Sequence, residues 1–452
     1  MASPLLLCTT DLLRLVFQLL SRDALYAVCL VNKDLRALAE PFLYFNVQWI
    51  YRSFKSPTLP VNLLLRSILR RPELAAYVKK LSIDGRQDFY KEDPRIIVTE
   101  DELDEPIRLV EMMRVPYGYD WIQGLRQGTM TAFFTLLVSR LPNLTCLHLG
   151  RDFTQRGKLL GMMFMSCLSG SDSSHRTLPT FEYLKDVYLP YSARKTKIRH
   201  GIEVKNTTEL LSIFYLPSIQ RVSVTIDSPI AFSWPFPKPP DPAQLKALKL
   251  YHIREGHLEK FLSTMRALKT LRWDWVYRST LKDDVINIPV MNLDQIVADL
   301  SHVRDTLTDL TITADIFISK SETESPTVEI KGSLEGIVDF DGLKRMRIPV
   351  PFLVGFSINP SKRLADVLPR NIEFLTITDD LFLIRQYEWH DVDILGIIGT
   401  WLQDWKTSTP NLQGFHLFVQ EVNDEWGPTM RQQLRELCTG AGVQVEITKD
   451  HD

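Results

Sequence analysis

Cysteine is scarce in this 452-residue chain. The five present, Cys8, Cys29, Cys146, Cys167 and Cys438, are scattered and form no CxxC pair. That excludes a zinc framework or disulfide scaffold built on close spacings. They are expected to be small buried residues in a reducing compartment. An excess of charge of one sign is missing too: 53 Lys+Arg stand against 55 Asp+Glu. Such a balance exerts no general pull on nucleic acid or anionic lipid, so neither is expected as a partner. No apolar run is long enough for a membrane span. The first twenty residues look superficially like a secretion signal, but no basic segment precedes them, and Asp11 and Arg14 interrupt the apolar run. A cytoplasmic or nuclear location is therefore expected.

Catalytic signatures are also wanting. The chain has no G-x-S-x-G, no P-loop and no G-x-G-x-x-G. His252-Ile-Arg-Glu255-Gly-His257 contains metalloprotease residue types without the spacing that would put both histidines on one helix face. It reads as surface histidines beside a strand. His390-Asp391-Val-Asp393 reads as a helix cap with favourable dipole charges. No catalytic residue, metal site or cofactor is expected.

What the chain does have begins at Thr9. Leu12, Leu13, Val16, Phe17, Leu19 and Leu20 recur at helical spacing and cover more than one helix face. Thr9 or Thr10 can cap this helix, and Ser21 or Asp23 can cap a second one carrying Leu25, Val28, Leu30, Val31, Leu35 and Leu38. Pro41 is expected to end it. Two or three short helices in some forty residues cannot bury all of these side chains unaided. Part of the surface must meet the following domain or another protein.

The run Asp11-Leu-Leu-Arg-Leu-Val-Phe-Gln-Leu-Leu-Ser-Arg-Asp-Ala-Leu25, followed by Val28-Cys-Leu-Val31-Asn-Lys-Asp-Leu35, resembles an F-box. The continuation Ala37-Leu-Ala-Glu-Pro41-Phe-Leu-Tyr44-Phe-Asn-Val47 is similar to the form common in fungal F-box proteins. Cys8-Thr9 stands where the family usually opens with Leu-Pro. The resemblance spans roughly Leu5 to Val47 and implies docking on the Skp-type linker protein of a Skp–cullin–F-box (SCF) ubiquitin ligase. Leu12, Val16, Leu19, Leu20, Leu25, Val28, Val31 and Leu35 are the implied docking residues. A plain cap on the domain that follows is the alternative, since stacked-repeat arrays need terminal caps.

After an apolar helix over Leu63–Leu69, one step recurs: apolar, two residues, apolar, one residue, apolar. It appears as Val78/Leu81/Ile83, Leu144/Leu147/Leu149, Leu184/Val187/Leu189, Ile219/Val222/Val224 and Leu245/Leu248/Leu250. It returns as Leu268/Leu271/Trp273, Leu307/Leu310/Ile312, Leu343/Met346/Ile348, Ile372/Leu375/Ile377 and Leu412/Phe415/Leu417. The closing alternation is the period of a half-buried strand. Helical stretches such as Gly256–Met265, Leu293–Val303 and Val392–Trp405 lie between copies. No such unit buries its own apolar face, so the units should stack. The body looks like a degenerate leucine-rich repeat, against the alternative of a non-repetitive α/β domain.

The expected fold class is α+β: a helical F-box over 1–50, a helical connector over 51–76, and an irregular leucine-rich-repeat-like β/α solenoid over 77–452. Insertions are expected near 84–128, 166–177 and 228–242. The third is dense in proline and carries Trp234 and Phe236, while Trp121 sits in the first. Aromatic residues on stiff loops make good contact surfaces, so Trp234, Phe236 and Trp121 are candidate substrate contacts. For Trp234 and Phe236, folding back over the sheet edge is the equal alternative. The function expected is a non-catalytic adaptor that recruits a protein substrate; an interaction scaffold without a ligase role is the rival.

Overall fold

The computed structural model describes residues 9–51, 60–85, 95–150, 158–169, 178–189, 208–226, 228–229, 231–278, 287–317, 327–357, 362–382, 384–419 and 426–449. Most of the expected insertion at 166–177 lies outside them. The chain forms two compact units, Met1–Tyr191 with Val204–Ile219, and Ser192–Glu203 with Gln220–Asp452. The division falls inside the expected array, and the N-terminal helices share a unit with the first strands.

In the first unit, three side-chain caps set three helices. Thr9 Oγ1 accepts the Leu12 N–H at 3.4 Å and opens α1 (Thr10–Leu19). Ser21 Oγ accepts the Ala24 N–H at 3.3 Å and opens α2 (Arg22–Cys29). Asn32 Oδ1 accepts the Leu35 N–H at 2.8 Å and opens α3 (Lys33–Phe45). The Asn32 cap splits what the sequence suggested was one helix. Pro41 lies inside α3 and does not end it. An interior proline removes one backbone hydrogen bond, but here the residues before it are anchored. Ala39 is fully buried, and the Glu40 carboxylate takes two hydrogen bonds from Arg71, at 2.7 and 2.8 Å. Arg36 adds a contact at 3.1 Å. These cations hold the Glu40 carboxyl below its usual range, Arg71 contributing most.

The module runs directly into a strand, β1 (Asn46–Tyr51), which pairs in parallel with β2 (Lys80–Gly85). Residues 46–50 are a strand where the end of the helical module is expected. Its alternating Val47 and Trp49 were the available signal; they stand opposite Leu81 and Ile83. α4 (Pro60–Arg70) covers the expected Leu63–Leu69 helix. The expected insertion at 84–128 contains two helices, α5 (Glu100–Met113) and α6 (Gly118–Arg126). Its acidic run starts α5, where negative charge favours a helix N-terminus, and the Glu102 carboxylate accepts the Thr99 N–H at 3.1 Å. α7 (Met130–Ser139) follows, buried along its length. Then come β3 (Cys146–Leu149) and β4 (Asp186–Leu189), so β1 to β4 are parallel neighbours in chain order.

The second unit holds a parallel sheet of eight strands in the order β5 (Arg221–Thr225), β6 (Ala247–Tyr251), β7 (Thr270–Arg278), β9 (Asp309–Phe317), β11 (Arg345–Pro349), β12 (Phe374–Thr378), β13 (Gly414–Val419) and β14 (Gln444–Lys449). β8 (Val290–Asn292) and β10 (Glu329–Lys331) form a separate parallel pair. Helices intervene, among them Glu255–Leu262, Leu293–Leu300 and Asp391–Gln403, where helical periodicity was read.

All ten copies of the apolar step fall on strands. Its last two residues occupy one face of each strand and are buried, and its first is buried in the turn before it. Register is kept from strand to strand: Val222, Leu248, Leu271, Leu310, Met346, Leu375 and Phe415 form one row. A one-residue slip would turn every one of these side chains to the other face, so burial fixes the register. β14 was not read from the sequence, because Gly442 stands where its first apolar residue would be. No helix among the described residues is long and apolar enough to cross a membrane.

One buried acid gives this unit a pH-dependent stability. Asp299 is 1% exposed and accepts a side-chain hydrogen bond from Gln295 Nε2 at 2.6 Å. Burial pushes its carboxyl up to about 6. The folded state then holds the proton more tightly than the unfolded chain, whose aspartates titrate near 3.9. The penalty is absent below about pH 4, grows as pH rises toward 6 and is complete above it. Asp299→Asn is therefore expected to raise stability at pH 8 by on the order of 2–3 kcal/mol, with little change at pH 4. Thermal melting at both pH values tests this; an equal shift at both would refute the titration as the cause.

Candidate functional site

α1 has three faces. Leu13 and Phe17 point into a small core completed by Leu25, Cys29, Leu35 and Ala39, with Leu20, Val28 and Phe42 packed at its margin. Phe42 meets Phe17 edge-on at 6.4 Å. Asp11, Arg14 and Gln18 are exposed on a polar face. The third face is apolar and open: Leu12 (53% exposed), Leu15 (58%), Val16 (47%) and Leu19 (88%) stand at i, i+3, i+4 and i+7. From the end of α2 into the turn before α3, Tyr26, Leu30 and Val31 are also exposed. Seven of the seventeen exposed large apolar side chains among the described residues thus lie within twenty consecutive positions. Scattered exposed leucines need no explanation, whereas a clustered set marks an interaction surface.

The eight residues implied by the resemblance separate accordingly. Leu12, Val16, Leu19 and Val31 are on the open surface, and Leu20 and Val28 are half-buried. Leu25 and Leu35, 6% and 5% exposed, belong to the core. They can support a docking surface but cannot touch a partner directly. Leu15, Tyr26 and Leu30 are exposed but were not among the implied residues. For Leu15 the signal was available: it completes the i, i+3, i+4, i+7 stripe with Leu12, Val16 and Leu19.

The aromatic candidates fare differently. Trp121 is fully buried, stacks on Tyr117 at 6.0 Å and donates its indole N–H to the Ala132 carbonyl at 3.0 Å. It is a core residue and not a contact. Trp234 is half-buried and packs edge-on against Phe261 at 5.4 Å, as Phe232 does at 5.2 Å. The proline-dense loop therefore folds back with these two rings, in line with the covering alternative. Phe236 is half-buried.

His252 is buried with its Nδ1 accepting from Arg278 at 2.6 Å, a correction to the surface position expected of it. Its backbone takes φ +69°, which turns the chain out of β6 and sends the imidazole inward. His257 Nε2 bonds the Pro229 carbonyl at 2.7 Å. Between them, Arg254 donates to Glu255 at 3.0 Å, to the Ile288 carbonyl at 3.0 Å and to the Val290 carbonyl at 2.7 Å, and lies over the Trp275 ring at 4.6 Å. Trp275 in turn donates to Glu255. These polar residues clamp the segment before β8 onto the sheet. The His390 N–H is bonded to the Asp393 carboxylate at 3.2 Å, the cap read from sequence. Among the described residues, no group of three or more His, Cys, Asp or Glu side chains could hold a metal ion.

No protein-family model matches the chain. Nor does any curated protein match it.

Proposed function

We propose that this protein is a substrate-recruiting adaptor of a Skp–cullin–F-box ubiquitin ligase, with no chemistry of its own. The N-terminal helices bind the Skp-type linker protein, and the rest of the chain, a degenerate leucine-rich-repeat-like solenoid, holds a protein substrate. The F-box resemblance of residues 5–47 motivates the reading. The observation that carries it is the open apolar stripe of α1 with the exposed Tyr26, Leu30 and Val31. A helix that only capped the following domain would turn its apolar residues toward that domain. For the solenoid, the support is ten apolar steps on parallel strands in chain order with intervening helices. The mechanism is proximity: tethering substrate and charged ubiquitin carrier in one complex raises the effective concentration of a substrate lysine.

The experiment is co-expression of the full chain with a Skp-type linker, followed by affinity purification and size-exclusion chromatography. A stable one-to-one complex is expected. A monodisperse chain that elutes apart from the linker would refute the adaptor reading and favour an interaction scaffold.

A further inference from the structure

β1 is the outer strand of its sheet, with β2 as its one neighbour. The Phe45 carbonyl accepts the Lys79 N–H at 3.0 Å, so the odd-numbered residues of β1 turn their backbone groups toward β2. Asn46, Gln48 and Ile50 therefore turn theirs away from it. The Gln48 carbonyl takes Arg22 Nη1 at 3.3 Å. Among the described residues, no hydrogen bond is made by the Gln48 N–H or by either backbone group of Ile50.

Such an edge is a template for another strand, and proteins ordinarily blunt it with a charged side chain, a proline, a bulge or a covering element. β1 keeps an unbroken register with β2. Its run Asn46-Val-Gln-Trp-Ile50 has no charge, no proline and no glycine, and its Val, Trp and Ile are strong strand formers. Among the described residues, Arg22, reaching from α2, supplies the one charged side chain bonded to this edge. Phe45 and Ile50 beside it are 45% and 43% exposed, and Trp49 is half-buried.

We infer that the occupant of this edge is β1 of a second copy, paired antiparallel across a two-fold axis at Gln48. The strand is self-complementary about that residue. The axis puts Gln48 opposite its own mate, each N–H meeting the other's C=O. Asn46 then stands opposite Ile50, with outward backbone groups on both, and Val47 stands opposite Trp49, a β-branched–aromatic cross-strand pair. No like charges are opposed at any position. Arg22 is exposed and leaves the Gln48 carbonyl by a change of rotamer. An unrelated segment could bond the same backbone groups, but an uncharged strand gives it no charge to recognise, whereas the symmetric pattern about Gln48 matches a copy of itself. The two-fold pairing also closes, since it uses both edges and leaves neither for a third copy. The inference goes beyond the adaptor reading and does not depend on it.

The test is size-exclusion chromatography with light scattering on the full chain over a range of concentrations. The parent is expected at twice the mass of one chain, falling toward a single mass on dilution. Gln48→Pro removes an outward N–H and leaves the β1–β2 ladder intact, since that N–H plays no part in it. It is expected to weaken self-association at least about tenfold. Ile50→Lys places a charge on the edge and is expected to do the same. Ile50→Val should self-associate as the parent does. At dilutions where the parent is a single chain, all three variants should melt as it does, which separates a lost contact from a lost fold. A parent that is a single chain at every concentration would overturn the inference. So would a dimer that survives either Gln48→Pro or Ile50→Lys, because its contact would then lie elsewhere.

Discussion

Replacing Leu15 and Leu19 together by aspartate is expected to weaken linker binding by at least about a hundredfold, with no change in thermal melting. The size follows from what the two side chains would contribute at an interface. Each fully buried leucine is worth roughly 1.5–3 kcal/mol, and about 2.8 kcal/mol corresponds to a hundredfold. Placing two carboxylates against an apolar partner adds their desolvation. Stability should not follow, because Leu15 and Leu19 are 58% and 88% exposed and contribute nothing to the core of α1 to α3. Leu25→Ala is the contrasting variant. Its side chain is in that core, so it should lower melting and binding together. Titration of the linker against each purified full-length variant, with melting curves alongside, separates the two effects. A Leu15/Leu19 variant that binds like the parent would remove α1 from the interface.

How far the sequence foretold this molecule depended on whether a signal was local. The apolar step of Leu245, Leu248 and Leu250 is a short-range pattern, and a strand needs only that. All ten such steps became strands for this reason, whatever their irregular spacing. β14 escaped because Gly442 replaces the first residue of the step. Pro41 misled because a proline's local effect was outweighed by contacts thirty residues away, where Arg71 grips Glu40. On α1, amphipathic spacing located the apolar residues but could not divide them between two apolar faces. That division depends on where α3 packs, and it sent Leu13 and Phe17 inward while leaving Leu15 open. The cross-strand rows of the second sheet were illegible for the same reason. Lys249, Arg272, Thr311 and Arg347 are far apart in the chain, and only the strand pairing places them in one row.

Trp121 is where the loop reading and the structure differ most in consequence. A contact residue on a loop would cost binding and leave stability alone. A fully buried indole bonded to the Ala132 carbonyl does the opposite. Trp121→Ala is expected to cost about 3–5 kcal/mol through the cavity left behind, and the stranded Ala132 carbonyl adds to it. In a unit of this size, roughly 10 °C of melting temperature should be lost. Trp121→Phe keeps most of the volume and loses the hydrogen bond, so it should fall between the two. The damage should centre on α6 and α7, since the indole of one is bonded to the backbone of the other. Hydrogen exchange should accordingly show lost protection first in α7, whose residues other than Thr131 are all buried. An alanine variant with parental melting would return Trp121 to the surface.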